Sequence, residues 1–159
     1  MKLVITLLCS LSLGVSGQEL VATWTFDNDT DNTARDDGPH GLHASRHGGE
    51  LLPAENGTGK VLHCASETAY VDLPPSALYA FSSKDTFTLS LRFRADDSAR
   101  FRTLLMAKDR PGGTVSFSFC MGRTPGHVSF ELWTWGSVRL LSRNSLADGQ
   151  WHTLAGVYD

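Results

Sequence analysis

Helical periodicity is missing from this chain: no stretch repeats apolar residues at intervals of three and four, which argues against an α-helical architecture. Positive charge is short as well. Fourteen Lys and Arg stand against 17 Asp and Glu, a formal net charge of −3 at pH 7. The basic residues are scattered, so there is no footprint for nucleic acid. Cysteine is scarce, at three. There is no Gly-x-Ser-x-Gly elbow, no phosphate-cradling glycine loop, no internal repeat and no low-complexity segment. Beyond residue 17 no run is apolar enough to cross a bilayer.

What is present begins with a secretory leader. Lys2 supplies a positive start, Leu3 to Val15 an apolar run too short to span a membrane, and Val15-Ser16-Gly17 small residues before a cut ahead of Gln18. The sequence therefore predicts removal of Met1 to Gly17, export, and a mature chain whose only lost charge is Lys2. Cys64 and Cys120 remain. An oxidising compartment permits a bridge between them, but both fall in predicted strands and a bridge needs Cα atoms within about 7 Å, so pairing is left open with a lean toward free thiols.

The mature chain alternates with period 2, punctuated by turns every eight to twelve residues, as a sandwich or barrel does. Glu19 to Phe26 places Leu20, Ala22, Trp24 and Phe26 on one face. Lys60 to Cys64 and Tyr70 to Leu73 are short strands, the second halted by Pro74-Pro75. A connector from Ser76 to Lys84 has room for one helical turn. Thr86 to Ala95 is the clearest strand: Phe87, Leu89, Leu91 and Phe93 inward, Arg92 and Arg94 on a solvated face. Thr103 to Ala107, Val115 to Met121, Val128 to Leu132 and Val138 to Leu141 follow. Asp148-Gly149 turns the chain into Trp151 to Tyr158, neither face of which carries charge. That predicts an interior strand covered on both sides. An interior strand ending at Asp159 predicts a chain that continues, since sandwiches of this kind often need roughly 200 residues.

Two motifs resemble a known family. Trp24-x-Phe26-Asp27 followed by Asp36-x-Gly38-x-x-Gly41 resembles the opening of laminin-G-like, concanavalin A-like jelly rolls. Gly149-x-Trp151-His152-x-Leu154-Ala155-x-Val157-Tyr158-Asp159 resembles their late strand. The resemblance implies an all-β, antiparallel two-sheet jelly-roll sandwich over residues 18–159, incomplete at its C-terminus. It further implies a secreted, non-catalytic module binding carbohydrate or an extracellular protein. An accessory domain of a secreted glycoside hydrolase or sulfatase, and a structural spacer, are the other readings. Glycanases of the related fold carry a Glu-x-Asp-x-x-Glu run for paired acid and nucleophile work. Here Glu131 is alone, so no catalytic residue is assigned.

Two constellations could bind. Trp133 and Trp135 follow Ser129 and Glu131 on the face opposite the inferred core, where aromatic rings can stack on sugars or be covered by another sheet. Asp27, Asp29 and Asp31 alternate carboxylates in a polar loop, as a hard cation such as Ca²⁺ prefers. Asn32 and Gly38 stand where an EF-hand needs Gly and Glu, so this is no EF-hand; the alternative is a solvated acidic turn. His40, His43 and His47 are spaced for a helical metal site, but the Gly and Pro around them favour an exposed loop.

Overall fold

The computed structural model describes residues 7–12, 19–55, 57–66, 68–79, 86–96, 102–108, 115–133 and 138–158. The protein is all-β and antiparallel. One sheet takes the order β13 (Trp151–Tyr158), β8 (Thr86–Arg94), β1 (Leu7–Ser12), β2 (Glu19–Trp24); the other runs β12 (Val138–Leu141), β11 (Val128–Leu132), β10 (Val115–Met121), β9 (Arg102–Lys108). Two small sheets complete it: β3 (Thr33–Ala34), β4 (Ala44–His47) and β7 (Tyr70–Asp72), and the pair β5 (Glu50–Pro53) with β6 (Lys60–His63). A 3₁₀ turn at Ala77–Tyr79 occupies the connector, as expected. No helix among the described residues is long and apolar enough to cross a membrane.

The core lies between the two larger sheets. Phe87, Leu89, Leu91 and Phe93 of β8 are fully buried, and so are Phe117, Phe119 and Met121 of β10. Burying four side chains such as those of β8 is worth roughly 6–12 kcal/mol before chain entropy is set against it. Phe87 meets Phe117 across the sandwich at 6.1 Å between ring centroids, and Phe119 leans on Phe130 at 5.0 Å. Gly156 faces this last pair: a Cβ there would lie 2.9 Å from Phe119 and 3.0 Å from Phe130.

Among the described residues the strand Trp151 to Tyr158 has β8 as its one ladder partner, with Thr153, Ala155 and Val157 exposed. Arg92 and Arg94 of β8 lie 5.0 and 5.2 Å from the Trp151 ring. One expectation is corrected: Arg94 is not simply solvated but half-buried, and it pairs with Glu55 at 2.5 Å, whose other oxygen accepts from the Trp151 indole at 3.3 Å. Leu7–Ser12, inside the stretch read as an export leader, forms a strand between β2 and β8.

The opening motif earns its residues. β2 ends where buried Phe26 adopts φ 67°, a left-handed conformation that bulky residues rarely hold. The Trp24 indole donates to the Leu42 carbonyl at 3.0 Å. Asp36 is buried and accepts three backbone amides, Thr23 at 2.9 Å, Gly38 at 2.7 Å and Leu42 at 2.8 Å. Gly38 must lack a side chain, since a Cβ would meet the Asp36 carboxylate at 2.8 Å and the Ala22 backbone at 3.1 Å. Asp-x-Gly is thus a knot tying the loop 36–42 to β2. Cys64 and Cys120 are free and buried, and burial pushes the Cys64 thiol up.

Candidate ligand-binding face

Every residue of β11 is buried, on both faces. Val128, Phe130 and Leu132 belong to the core. On the opposite face the ladder sets Glu131 beside Ser118 on one side and Arg139 on the other, with Ser129 between Cys120 and Leu141. Glu131 is only 2% exposed, which requires compensation for its charge. One carboxylate oxygen, Oε1, receives it: the Ser129 hydroxyl lies at 2.8 Å and Arg123 Nε at 2.7 Å. The other, Oε2, is buried without a hydrogen-bond partner.

Arg123 comes from the turn joining β10 to β11. Gly122 and Gly126 take positive φ there, and hydrogen bonds from the Gly122 amide to the His127 carbonyl and from the His127 amide to the Thr124 carbonyl close it. The turn folds the guanidinium back over the sheet, 5.9 Å from the Trp133 ring, while 40% of Trp133 remains exposed. An aromatic ring, a cation and a buried carboxylate with one oxygen uncommitted therefore stand side by side. Sequence reasoning singled out Trp133 and Trp135, set Glu131 aside as a lone carboxylate, and did not consider Arg123, which lies in a turn ten residues before the tryptophan. The hairpin register around Gly122 is the signal that could have brought it in. Trp135 lies outside the described residues.

The acidic loop is held by backbone amides and by Arg46. Asp27 Oδ1 accepts the Lys60 amide at 2.7 Å, and Asp29 Oδ1 accepts the Arg35 amide at 2.8 Å. The side chain of Arg46 donates to the Asp31 carbonyl, and the Arg46 amide to Asn32 at 2.7 Å. Burial raises Asp29 above the usual carboxylate range, against the pull of the Arg35 amide and of nearby Arg46; its Oδ2 and the Arg46 Nε are both buried without a hydrogen-bond partner. The chain's own cations thus meet part of this loop's charge. Among the described residues no group of three or more His, Cys, Asp or Glu is gathered for a metal ion. The histidines separate: His40 lies 3.4 Å from Glu19, His43 accepts the Asp36 amide, and His47 stacks on Tyr70.

Compared with known families, the chain matches Laminin_G_3, of the concanavalin A-like lectin/glucanases superfamily, over residues 65–159. No curated protein and no solved structure gives a match. Domains of this family generally bind glycans or extracellular proteins. The matched region includes β8, β10, β11 and β13, hence most of the core and the whole face around Glu131. The chain belongs to the laminin-G-like domains of the concanavalin A-like lectin/glucanase superfamily.

Proposed function

We propose that this is an exported, non-catalytic module that holds a glycan on the face around Trp133. The observation that carries the reading is the half-exposed Trp133 ring beside the Arg123–Glu131 pair. A sugar's apolar face would stack on the indole and Arg123 would donate to its hydroxyls, its guanidinium held in place by the buried Glu131 carboxylate. Glycan-array screening of the exported protein, followed by calorimetry on the best ligand, tests it. Trp133→Ala is expected to weaken binding roughly tenfold or more, about 1.4 kcal/mol per decade, and Trp133→Phe to weaken it less. A silent array, or a Trp133→Ala protein that binds as well as the parent, sinks the reading and favours a spacer.

Protein capture is the second reading, supported by Val138, Leu140 and Leu141, which all stand exposed on the edge strand β12 of the same sheet. Exposed apolar side chains gathered on one short strand can mark an interaction surface.

Calcium at Asp27, Asp29 and Asp31 is proposed on narrower ground, the uncommitted buried oxygen of Asp29. Uptake requires Arg46 to withdraw and the carboxylates to turn toward one point. Added Ca²⁺ should then raise the melting temperature, because a ligand bound only by the native state stabilises it. Arg46→Ala should enlarge that rise. A melting temperature indifferent to excess Ca²⁺ in both proteins removes the proposal.

A further inference from the structure

The charge that a ligand meets on the face around Trp133 is of one sign. From Val115 to Ala147 the sequence holds a single acidic residue, Glu131, against Arg123, Arg139 and Arg143, although the whole chain carries a net charge of −3. Glu131 is sealed at 2% exposure, and its Oε1 is bonded to Arg123 and Ser129. Arg139 stands opposite Glu131 in the ladder between β11 and β12, so the two side chains leave the same face of the sheet. Arg139 is exposed, and among the described residues no carboxylate pairs with it. Trp133 lies two residues beyond Glu131, which makes it the diagonal neighbour of Arg139, about 7–8 Å away by the spacing of paired strands. The accessible surface of the site is therefore an aromatic ring flanked by two guanidiniums, its one carboxylate buried.

We propose that this face selects an acidic sugar, a pyranose bearing a carboxylate or a sulfate ester, whose charged group Arg139 receives while the ring stacks on Trp133. The assignment rests on Trp133 holding a glycan. A guanidinium offers parallel N–H donors that match the oxygens of either anion, and such charge-assisted bonds are stronger than neutral ones. A neutral sugar offers Arg139 nothing that water does not. Glu131 does not oppose the anion, because Arg123 neutralises it at 2.7 Å. The rest of the chain is net acidic and repels such a ligand at long range, so the selection depends on the charges of this face.

Calorimetry of the whole protein against two matched pairs tests this: an oligogalacturonate with its carboxyl-reduced form, and a sulfated oligosaccharide with its desulfated form. In one pair the acidic member should bind about fivefold more tightly or better, and the ratio should fall as salt is raised. The pair that shows the preference identifies the anion as carboxylate or sulfate. Arg139→Gln should bring the ratio close to one, and Arg139→Lys should keep part of it, since a point charge lacks the guanidinium fork. Arg92→Gln removes the same charge from the other sheet and should leave the ratio as it was. Equal binding within both pairs overturns the proposal, and so does a preference that Arg139→Gln leaves intact or that Arg92→Gln lowers as much. Silence with all four ligands beside a neutral hit on the glycan array overturns the acidic class alone. A silent array, or Trp133→Ala binding as well as the parent, defeats the glycan reading and this proposal with it.

Discussion

Asp36→Ala should lower the melting temperature by about 10–20 °C or abolish the cooperative transition. The Asp36 carboxylate satisfies the amides of Thr23, Gly38 and Leu42 at 2.7 to 2.9 Å, and the residue is only 7% exposed. Each buried donor left without a partner costs about 1–3 kcal/mol. Some water will enter the gap, so a total of about 3–6 kcal/mol is reasonable. That is a large part of the 5–15 kcal/mol that holds a typical domain together, and about 2–4 °C accompany each kcal/mol at this size. Asp37→Ala is the control. Asp37 is exposed, and although partial burial works against it, bonds from Thr25 and Asn28 hold its carboxyl below the usual range. Removing it should cost about 1 kcal/mol or less. Equal melts for the two variants would show that the Asp-x-Gly knot does not hold the loop to β2.

The second large effect is expected at the pair beneath Trp133. Arg123→Ala removes the cation bonded to the buried Glu131 carboxylate and leaves the Ser129 hydroxyl bonded to it. Breaking a fully buried pair costs about 3–5 kcal/mol. Because the Arg123 side chain is 40% exposed, water replaces part of its role, and about 1–3 kcal/mol is expected. Adding Glu131→Leu to Arg123→Ala should recover most of that loss, since an apolar side chain needs no counterion there. Urea denaturation of the two single variants and the double supplies the cycle, with the coupling read as the departure from additivity. A double variant as unstable as the sum of the singles would mean that the two side chains do not act as a pair. The repaired double variant should still fail to bind glycan, which separates the pair's service to stability from its service to the ligand.

How much of this could be read in the residues depends on what each residue had to report. β8, β10 and β11 were legible because their apolar side alternates without interruption, and the structure buries Phe87, Leu89, Leu91, Phe93, Phe117, Phe119 and Phe130 accordingly. β4 was not. Ala44-Ser45-Arg46-His47 carries no apolar stripe, and its strand conformation comes from ladder bonds to β3 and β7, residues distant in sequence. The surroundings of β13 were harder to read for a related reason: a strand's neighbours are settled by partners distant in sequence, and the charge beside Trp151 belongs to Arg92 and Arg94 next door. In the acidic loop, spacing suggested that Asp27, Asp29 and Asp31 share a task. The positive φ of Phe26 and of Asp31 turns the backbone at both ends of the run, where Asp27 and Asp29 each accept a backbone amide and the Asp31 carbonyl accepts from Arg46, contacts that spacing alone does not disclose. At the candidate site the tryptophan announced itself, whereas Arg123 required knowing how the hairpin folds back.

Gly156 gives the sandwich a check on alignment. Among the described residues β13 has β8 as its one ladder partner, and a slide by two residues against it would keep every backbone bond type and leave the same side facing inward. The opposite sheet distinguishes these alternatives. The rings of Phe119 and Phe130 press where Gly156 now stands, closely enough that even a methyl group would collide. After such a slide Leu154 or Tyr158 would occupy that spot, and the two sheets would have to part to admit it. The missing side chain thus works like the notch of a key: one alignment of β13 lets the halves of the sandwich close, and its neighbours leave them ajar.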